Sequence, residues 1–147
     1  MVQVVTYPAA EDMPDILETF QKENTNLHIV IKYLSNLLNE DVHKHDKNLK
    51  NGIDKLTSVS NELNKIFQLS PEYVKTEYSE IFKQLKKLTQ EIWSVADELD
   101  NSKYSPPAGQ PNLFFIKNAL RSCVEGDDVF YKMIGQAFSD ITKPRYH

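Results

Sequence analysis

Cysteine is almost absent from this chain, with Cys123 as its single representative. An intramolecular disulfide needs two thiols, so a disulfide-stapled fold is excluded, and sparse cysteine is typical of a reducing compartment. We therefore predict a cytoplasmic protein in which Cys123 serves as a small buried hydrophobic side chain. At 147 residues the chain is long enough to bury a sizeable core without such a staple.

Arginine is scarce as well, since only Arg121 and Arg145 occur, and the formal net charge is −4. The basic residues are spread along the chain and form no stripe that could neutralise a row of phosphates. Few arginines also leave few bidentate clamps for phosphate or carboxylate ligands. We predict no nucleic-acid partner.

Glycine and long apolar runs are also in short supply. With four glycines, the chain cannot build a glycine-rich phosphate loop. No serine or cysteine stands at a recognisable spacing from a histidine and an acid, and no haem-attachment motif occurs. No apolar run approaches the ~20 residues of a transmembrane helix, and the uncharged residues 1–10 lack the basic flank of a signal peptide. We predict no catalytic residue, no cofactor and no transmembrane segment.

What the chain does have is apolar residues that recur every three or four positions, the period of a helix rather than of a strand. The third of four such segments has Val74, Tyr78, Ile81, Leu85, Leu88, Ile92, Val95 and Leu99. The first has Met13, Leu17, Phe20, Leu27, Val30, Ile31, Leu34 and Leu38. The second has Val42, Leu49, Ile53, Leu56, Leu63, Ile66 and Phe67. The fourth has Leu113, Ile116, Leu120, Cys123, Phe130, Ile134, Ala137 and Ile141. The pattern predicts an all-α protein, an antiparallel up-down four-helix bundle.

Capping residues and turn signals place the ends of these helices. Ser70 before Pro71 predicts a sharp start for the third helix, and Asn112 and Asp12 are predicted to cap the fourth and the first. The first turn is expected at 39–47 rather than at Asn51-Gly52, and the proline-rich stretch 105–111 is expected to be an exposed connection. We predict an extended arm over residues 1–10, one helical domain over 11–143 and a tail over 144–147.

The densest group of potential metal ligands is Glu40, Asp41, His43, His45 and Asp46, of which Glu40, His43 and His45 are the predicted metal ligands. Carboxylates and imidazoles ligate zinc and iron, and the spacing of three between Glu40 and His43 suits two ligands on one helix face. A di-iron bundle needs a second such pair, which the chain lacks. A metal-binding or phosphorelay bundle using His43 and His45 is therefore kept as an alternative, beside the simpler interpretation as a solvated turn.

Asp127 interrupts the apolar stripe of the fourth segment. An ionised carboxylate in a core must pair, take up a proton or reach water. One interpretation is that the fourth helix breaks near Gly126 and is capped again by an aspartate. The other is a small apolar ligand pocket oriented by Asp127 and Tyr131.

The clearest functional signal is an excess of apolar surface. Ile29, Tyr33 and Leu37 lie beside the main stripe of the first helix, which makes that helix apolar around most of its circumference. Other large side chains lie beside the later stripes, namely Phe82, Trp93, Phe114, Phe115 and Tyr131. Some of them are expected to broaden the core and the rest to form an exposed patch. Aromatic and aliphatic side chains outside a core typically anchor protein interfaces. We predict a non-enzymatic interaction module that binds another protein, or a second copy of itself, through Ile29, Tyr33, Leu37, Phe82 and Trp93.

Overall fold

A computed structural model describes residues 8–99 and 101–125, except for the side chains of residues 101 and 102. This part of the chain is all-α and contains no strand, which confirms the predicted fold class. A 3₁₀ turn, η1, spans Ala10–Asp12 and is followed by α1 (Met13–Leu38), α2 (Lys47–Phe67), α3 (Pro71–Thr76), α4 (Tyr78–Glu98) and α5 (Asn101–Tyr104). Residues 113–125 form a further helix, α6, up to the last described residue. Most of the predicted N-terminal arm, the break near Gly126 and the tail 144–147 lie outside the described residues.

Side-chain caps begin three of the helices. Ser70 Oγ accepts a hydrogen bond from the Tyr73 N–H at 3.1 Å, and Asn112 Oδ1 accepts one from the Phe115 N–H at 2.9 Å, which confirms both predicted caps. Asp46 Oδ1 caps α2 by accepting from the Leu49 N–H at 3.1 Å. Each bond satisfies an N–H group that has no partner within the helix.

Asp12 occupies the predicted N-cap position of α1, but its side chain does not cap the helix. The Asp12 carboxylate instead accepts a hydrogen bond from the Ala9 N–H at 2.7 Å. Its side chain therefore closes the preceding 3₁₀ turn η1.

The third segment is two helices and not the single one that its spacing predicted. Glu77, with φ −107° and ψ 26°, separates α3 from α4. α3 contacts η1 as well as α4, so the interruption gives it a second packing partner. Val74 is buried on one side of Glu77 and Ile81 on the other, and this continuous apolar spacing conceals the break.

The first turn lies at the earlier of the two predicted positions, since α1 ends at Leu38 and α2 begins at Lys47. Val42 lies in this turn with 86% of its surface exposed, so its assignment to the core was wrong. Gly52 stands inside α2 where that helix approaches α4: a Cβ atom there would lie 3.3 Å from Val95 Cγ1 and 3.5 Å from the Leu99 methyls. The Asn51-Gly52 dipeptide therefore lies within α2, where Gly52 allows close contact with α4, and does not form a turn.

Contacts between the helices define one apolar core. α1 packs against α2, and α2 packs against α4. Residues early in one helix of each pair lie opposite residues late in the other, as in the Lys55–Glu98 ion pair at 3.5 Å. α6 contacts both α1, through Cys123 and Ile16, and α4, through Lys117 and Asp97. Fully buried side chains come from all four long segments and include Phe20, Leu56, Leu85 and Leu120.

Candidate functional site

Two adjacent phenylalanines in the first turn of α6 form an exposed aromatic surface. Leu113 and Ile116, three positions apart, take the buried face of the helix, so the intervening Phe114 and Phe115 point outward. Their exposed fractions are 44% and 67%, and their rings meet edge to face with centroids 6.1 Å apart. We call Phe114 and Phe115 the aromatic pair.

A cation lies behind the aromatic pair. The Lys117 Nζ is 4.8 Å from the centroid of the Phe114 ring and 4.9 Å from that of Trp93, and it forms a 3.4 Å ion pair with Asp97. Lys117 is only 8% exposed, so these attractive contacts with ring faces and a carboxylate replace much of its hydration. The arrangement fixes Phe114 from behind and leaves Phe115 projecting.

Trp93, one of the predicted partner-binding residues, is covered by two cationic side chains of α6. The Arg121 guanidinium lies 4.1 Å above its ring, and Arg121 Nε donates to the Glu125 carboxylate at 2.9 and 3.0 Å. Trp93 is half-buried, and the two cations from α6 lie over its ring. Its contacts therefore join α4 to α6.

The other predicted partner-binding residues differ in exposure. Ile29 is 42% exposed, whereas Phe82 is 7% exposed and belongs to the core. Tyr33 and Leu37 are half-buried against the core, and the Tyr33 hydroxyl donates a 2.9 Å hydrogen bond to the Ser105 carbonyl. Of the five, Ile29 alone combines a large apolar side chain with an exposed position, and Tyr33 fastens the start of the proline-rich connection to α1.

Sequence reasoning missed a polar network across the α1–α2 interface. The Asn24 Nδ2 donates to Asn64 Oδ1 at 3.0 Å, the Ser60 hydroxyl donates to Asn24 Oδ1 at 2.8 Å, and the His28 Nε2 lies 2.7 Å from the same hydroxyl. Asn24 and Ser60 are 5% and 3% exposed. The available signal was the spacing of four in both the Asn24/His28 and the Ser60/Asn64 pairs, which puts each pair on one helix face.

The proton arrangement argues against a serine–histidine nucleophile in this network. A hydroxyl has one proton, and that of Ser60 goes to Asn24. The His28 Nε2 must therefore carry its own proton and donate it, so it cannot act as the base for Ser60.

The predicted metal ligands do not converge. Glu40 and His45 are exposed and His43 is half-buried in the turn that joins α1 to α2. Among the described residues, no group of three or more histidine, cysteine, aspartate or glutamate side chains could hold a metal ion. His43 packs instead on Tyr104, with ring centroids 5.8 Å apart.

Asp46, at the end of the same turn, links α2 to α5. Beyond its cap bond to Leu49, its Oδ2 accepts from the Tyr104 hydroxyl and lies 3.4 Å from Lys103 Nζ. The Leu49 N–H and the Lys103 ammonium stabilise the carboxylate and hold the pKa of Asp46 below its ordinary value, although burial opposes them. The turn is therefore anchored to α5 by one acidic side chain.

Cys123 is half-buried on α6, where its Sγ lies 3.9 Å from the Ile16 carbonyl oxygen of α1. Burial raises the pKa of the thiol, because the thiolate would lose hydration there. A protonated thiol is a weak nucleophile, so this environment suits packing rather than catalysis.

An apolar groove lies at the end of the molecule where η1 and α1 begin. We call it the end groove; its cavity volume is about 540 Å³. Its uncharged lining consists of Ala10, Pro14, Leu17, Leu69, Pro71 and Val74. Glu11 and Lys75, both exposed, add one charge of each sign. The predicted ligand-pocket residues Asp127 and Tyr131 lie outside the described residues, so the end groove is a different cavity from the one predicted.

Two further results bear on identity. Among the helices that the structure describes, none combines the length and the apolar character of a membrane span. Comparison of the chain with family models, curated proteins and solved structures finds no match of any of the three kinds.

Proposed function

We propose that this chain is a non-enzymatic interaction module, an adaptor or a subunit of a complex, which binds a partner protein through the aromatic pair. The observation that carries the proposal is the exposure of Phe114 and Phe115, at 44% and 67%. Interfaces are enriched in aromatic anchors, and an exposed phenyl ring gains about 1.5 to 3 kcal/mol on full burial.

The surroundings of the aromatic pair support this role. Ring contacts with Lys117 hold Phe114 in place, so little side-chain entropy remains to be lost when a partner covers it. Lys117 and Arg121 of the same helix are each paired with a carboxylate, that of Asp97 or Glu125, so both signs of charge are balanced there. This combination suits a partner surface that is apolar at its centre and polar at its edge.

The proposal includes a fold and a location. We propose that α1, α2, α4 and α6 form an antiparallel up-down four-helix bundle, because each pair in contact places low residue numbers opposite high ones. We also propose a cytoplasmic location, on the basis of the single cysteine.

Affinity capture from an extract of the protein's own cells tests this function. The bait proteins are the wild type, the double variant Phe114→Ser/Phe115→Ser, and the control Val42→Ser. Val42 is more exposed than either phenylalanine but lies in the turn between α1 and α2. We expect a protein that the wild type and the control retain to be lost with the double variant, while all three baits keep the same helical content by circular dichroism. Identical captured proteins with all three baits would refute the proposal.

The second candidate is a bundle that holds a small apolar ligand. The end groove favours it, since a cavity of about 540 Å³ with a mostly apolar lining falls within the range of ligand sites. Native mass spectrometry of freshly purified protein separates the two candidates. A small bound adduct supports this candidate, and added protein mass supports the interaction module.

A further inference from the structure

We propose that a polar cleft between α1 and α2 binds an uncharged nucleobase, as carried by a free nucleoside. The proposal goes beyond the interaction module, because the cleft shares no residue with α6 or with the aromatic pair. We call it the amide cleft; its cavity volume is about 370 Å³. Its lining consists of Gln21, Asn24, Thr25, His28, Asn64 and Phe67.

The amide cleft offers no charge partner to a charged ligand. Its lining contains no lysine, arginine, aspartate or glutamate, although these four residue types make up 26% of the chain. A phosphate or carboxylate group bound there would gain no contact with a lysine or arginine in return for its lost hydration. The lining therefore favours a ligand that is polar but uncharged.

The amide cleft has spare hydrogen-bond donors. Asn24 is 5% exposed, and its Nδ2 donates one of its two protons to Asn64 Oδ1 at 3.0 Å. The second proton of Asn24 Nδ2 and both protons of Asn64 Nδ2 have no acceptor among the residues that the structure describes. Because a donor without an acceptor is costly once it is buried, a ligand that covers the cleft must bring acceptors of its own.

These donors are fixed before a ligand arrives. The Asn24 amide is held at its nitrogen by Asn64 and at its oxygen by the Ser60 hydroxyl, which donates to Oδ1 at 2.8 Å. The same hydroxyl lies 2.7 Å from His28 Nε2, so Ser60 is itself held in place. A group that is already immobilised loses little entropy on binding, and the network therefore presents its spare donors in a preformed arrangement.

A nucleobase matches the remaining residues of the lining. Gln21 is exposed, and its side-chain amide has no partner within the described part of the chain. A glutamine amide pairs with adenine through two hydrogen bonds, one donated and one accepted. Phe67 is half-buried and adds an aromatic wall, and every base has a face that stacks on such a ring. A flat heterocycle with donors and acceptors on its edge can therefore use the amides and the ring together.

The size and openness of the cleft set the expected affinity. A cavity of roughly 150 Å³ holds one benzene molecule, so about 370 Å³ has room for a purine and part of its ribose. Gln21, Thr25 and His28 are exposed, so the cleft is open to water on one side. A small and open site binds weakly, and we expect a dissociation constant on the order of 0.1 to 1 mM for a nucleoside.

NMR titration of the isotope-labelled full chain with adenosine tests the proposal, because side-chain amide signals report directly on Asn24 and Asn64. One variant is Gln21→Leu, which removes the free amide at an exposed position. The other is Asn64→Asp, which removes two donors but keeps the Oδ1 that accepts from Asn24. Gln90→Leu is the matched control, since Gln90 is exposed on α4 and lies outside the cleft. Circular dichroism and thermal melting establish that each variant folds.

We expect adenosine to shift the side-chain amide signals of Asn24 and Asn64 equally in the wild type and in Gln90→Leu. Gln21→Leu and Asn64→Asp should each bind adenosine roughly fivefold more weakly, the loss that one uncharged hydrogen bond accounts for.

Comparison ligands identify the source of the base. Adenosine monophosphate and a short oligoadenylate should bind more weakly than adenosine, because the cleft supplies no cation and the chain has a net charge of −4. Glucose is uncharged but has no aromatic face, so it should leave the amide signals unchanged.

Four results would overturn the proposal. They are unchanged amide signals with adenosine, binding that neither Gln21→Leu nor Asn64→Asp weakens, tighter binding of the phosphorylated ligands than of adenosine, and shifts with glucose as large as those with adenosine. The third result would assign the cleft to nucleotides or nucleic acid, and the fourth would assign it to sugars.

Discussion

At the scale of single residues, Asp46 links two helices, α2 and α5. Its carboxylate accepts from the Leu49 N–H within α2, from the Tyr104 hydroxyl of α5 and from the Lys103 ammonium. Only 15% of its side chain is exposed, so these partners replace most of the water around the charge. One side chain therefore caps α2 and holds α5 against the turn.

Replacement of Asp46 by Ala should lower the free energy of unfolding by about 1 kcal/mol at pH 7, the usual cost of losing a helix N-cap. The folded pKa lies below the unfolded value of about 3.9, so the stabilisation is fully present above about pH 4 and is lost as pH falls through the folded pKa. Urea denaturation of wild type and variant at pH 7 and at pH 3 measures this difference.

Asp46→Asn is the matched control, because its amide oxygen can still accept the Leu49 N–H while its charge is gone. We expect it to lose less stability than Asp46→Ala at pH 7. Equal stability of the wild type and Asp46→Ala at pH 7 would contradict the assigned cap.

At the scale of elements, Gly52 of α2 lies at a close approach between α2 and α4. A Cβ atom there would lie 3.3 Å from Val95 Cγ1 of α4, tighter than ordinary van der Waals contact. A single methyl group could be accommodated by small shifts of the Val95 and Leu99 side chains, whereas a branched side chain could not.

Gly52→Val should therefore destabilise the protein by about 1–3 kcal/mol, the cost of overpacking a close interface. The control is Asn51→Val, which places the same β-branched residue at the neighbouring, exposed position of α2. Thermal melting of both variants should give a clearly lower midpoint for Gly52→Val. Equal midpoints would show that α2 and α4 separate readily at this point.

Helices and most buried positions could be predicted from the sequence because apolar spacing reports which face of a helix is covered. Ser70 and Asn112 were identified as caps on the same local grounds. The break at Glu77 was not predictable, because Val74 and Ile81 keep the helical spacing across it, and no local pattern encodes the contact of α3 with η1. Val42 was misassigned because an apolar residue in a turn carries no local sign of its exposure.

The candidate site was predictable in part. Phe114 and Phe115 lie beside the main stripe, which indicated surplus apolar surface, but the same reasoning placed Phe82 outside the core. Spacing along one helix cannot tell how wide a stripe its neighbours cover. The positions of Lys117 and Arg121 over Trp93 depend on how α6 packs against α4, which no local pattern encodes.

At the scale of the whole molecule, the network of Asn24, Ser60, His28 and Asn64 distinguishes one pairing of α1 and α2 from others. Apolar stripes pack in several registers with similar energies, whereas these hydrogen bonds form in only one. A buried amide that loses its partner costs about 1–3 kcal/mol, so a shifted register is disfavoured. We expect the network to contribute more to the uniqueness of the fold than to its stability.

A single variant and an apolar double variant test this expectation. Asn24→Ala alone should lower the free energy of unfolding by about 1–3 kcal/mol, because the Ser60 hydroxyl loses its acceptor. Asn24→Leu/Ser60→Ala should recover part or all of that loss but should give broader amide resonances in NMR spectra. An apolar double variant with spectra as sharp as those of the wild type would show that packing alone sets the register.

Trp93 is the single tryptophan of the chain, and its ring lies under Lys117 and Arg121 of α6. Indole emission responds to nearby charge and to water, and Lys117 also contacts Phe114, so the protein carries its own optical reporter beside the surface that we propose binds a partner. Titrations can follow changes in this emission without a dye or a label. The same signal distinguishes local rearrangement of α6 from global unfolding, since the two expose the indole to different extents.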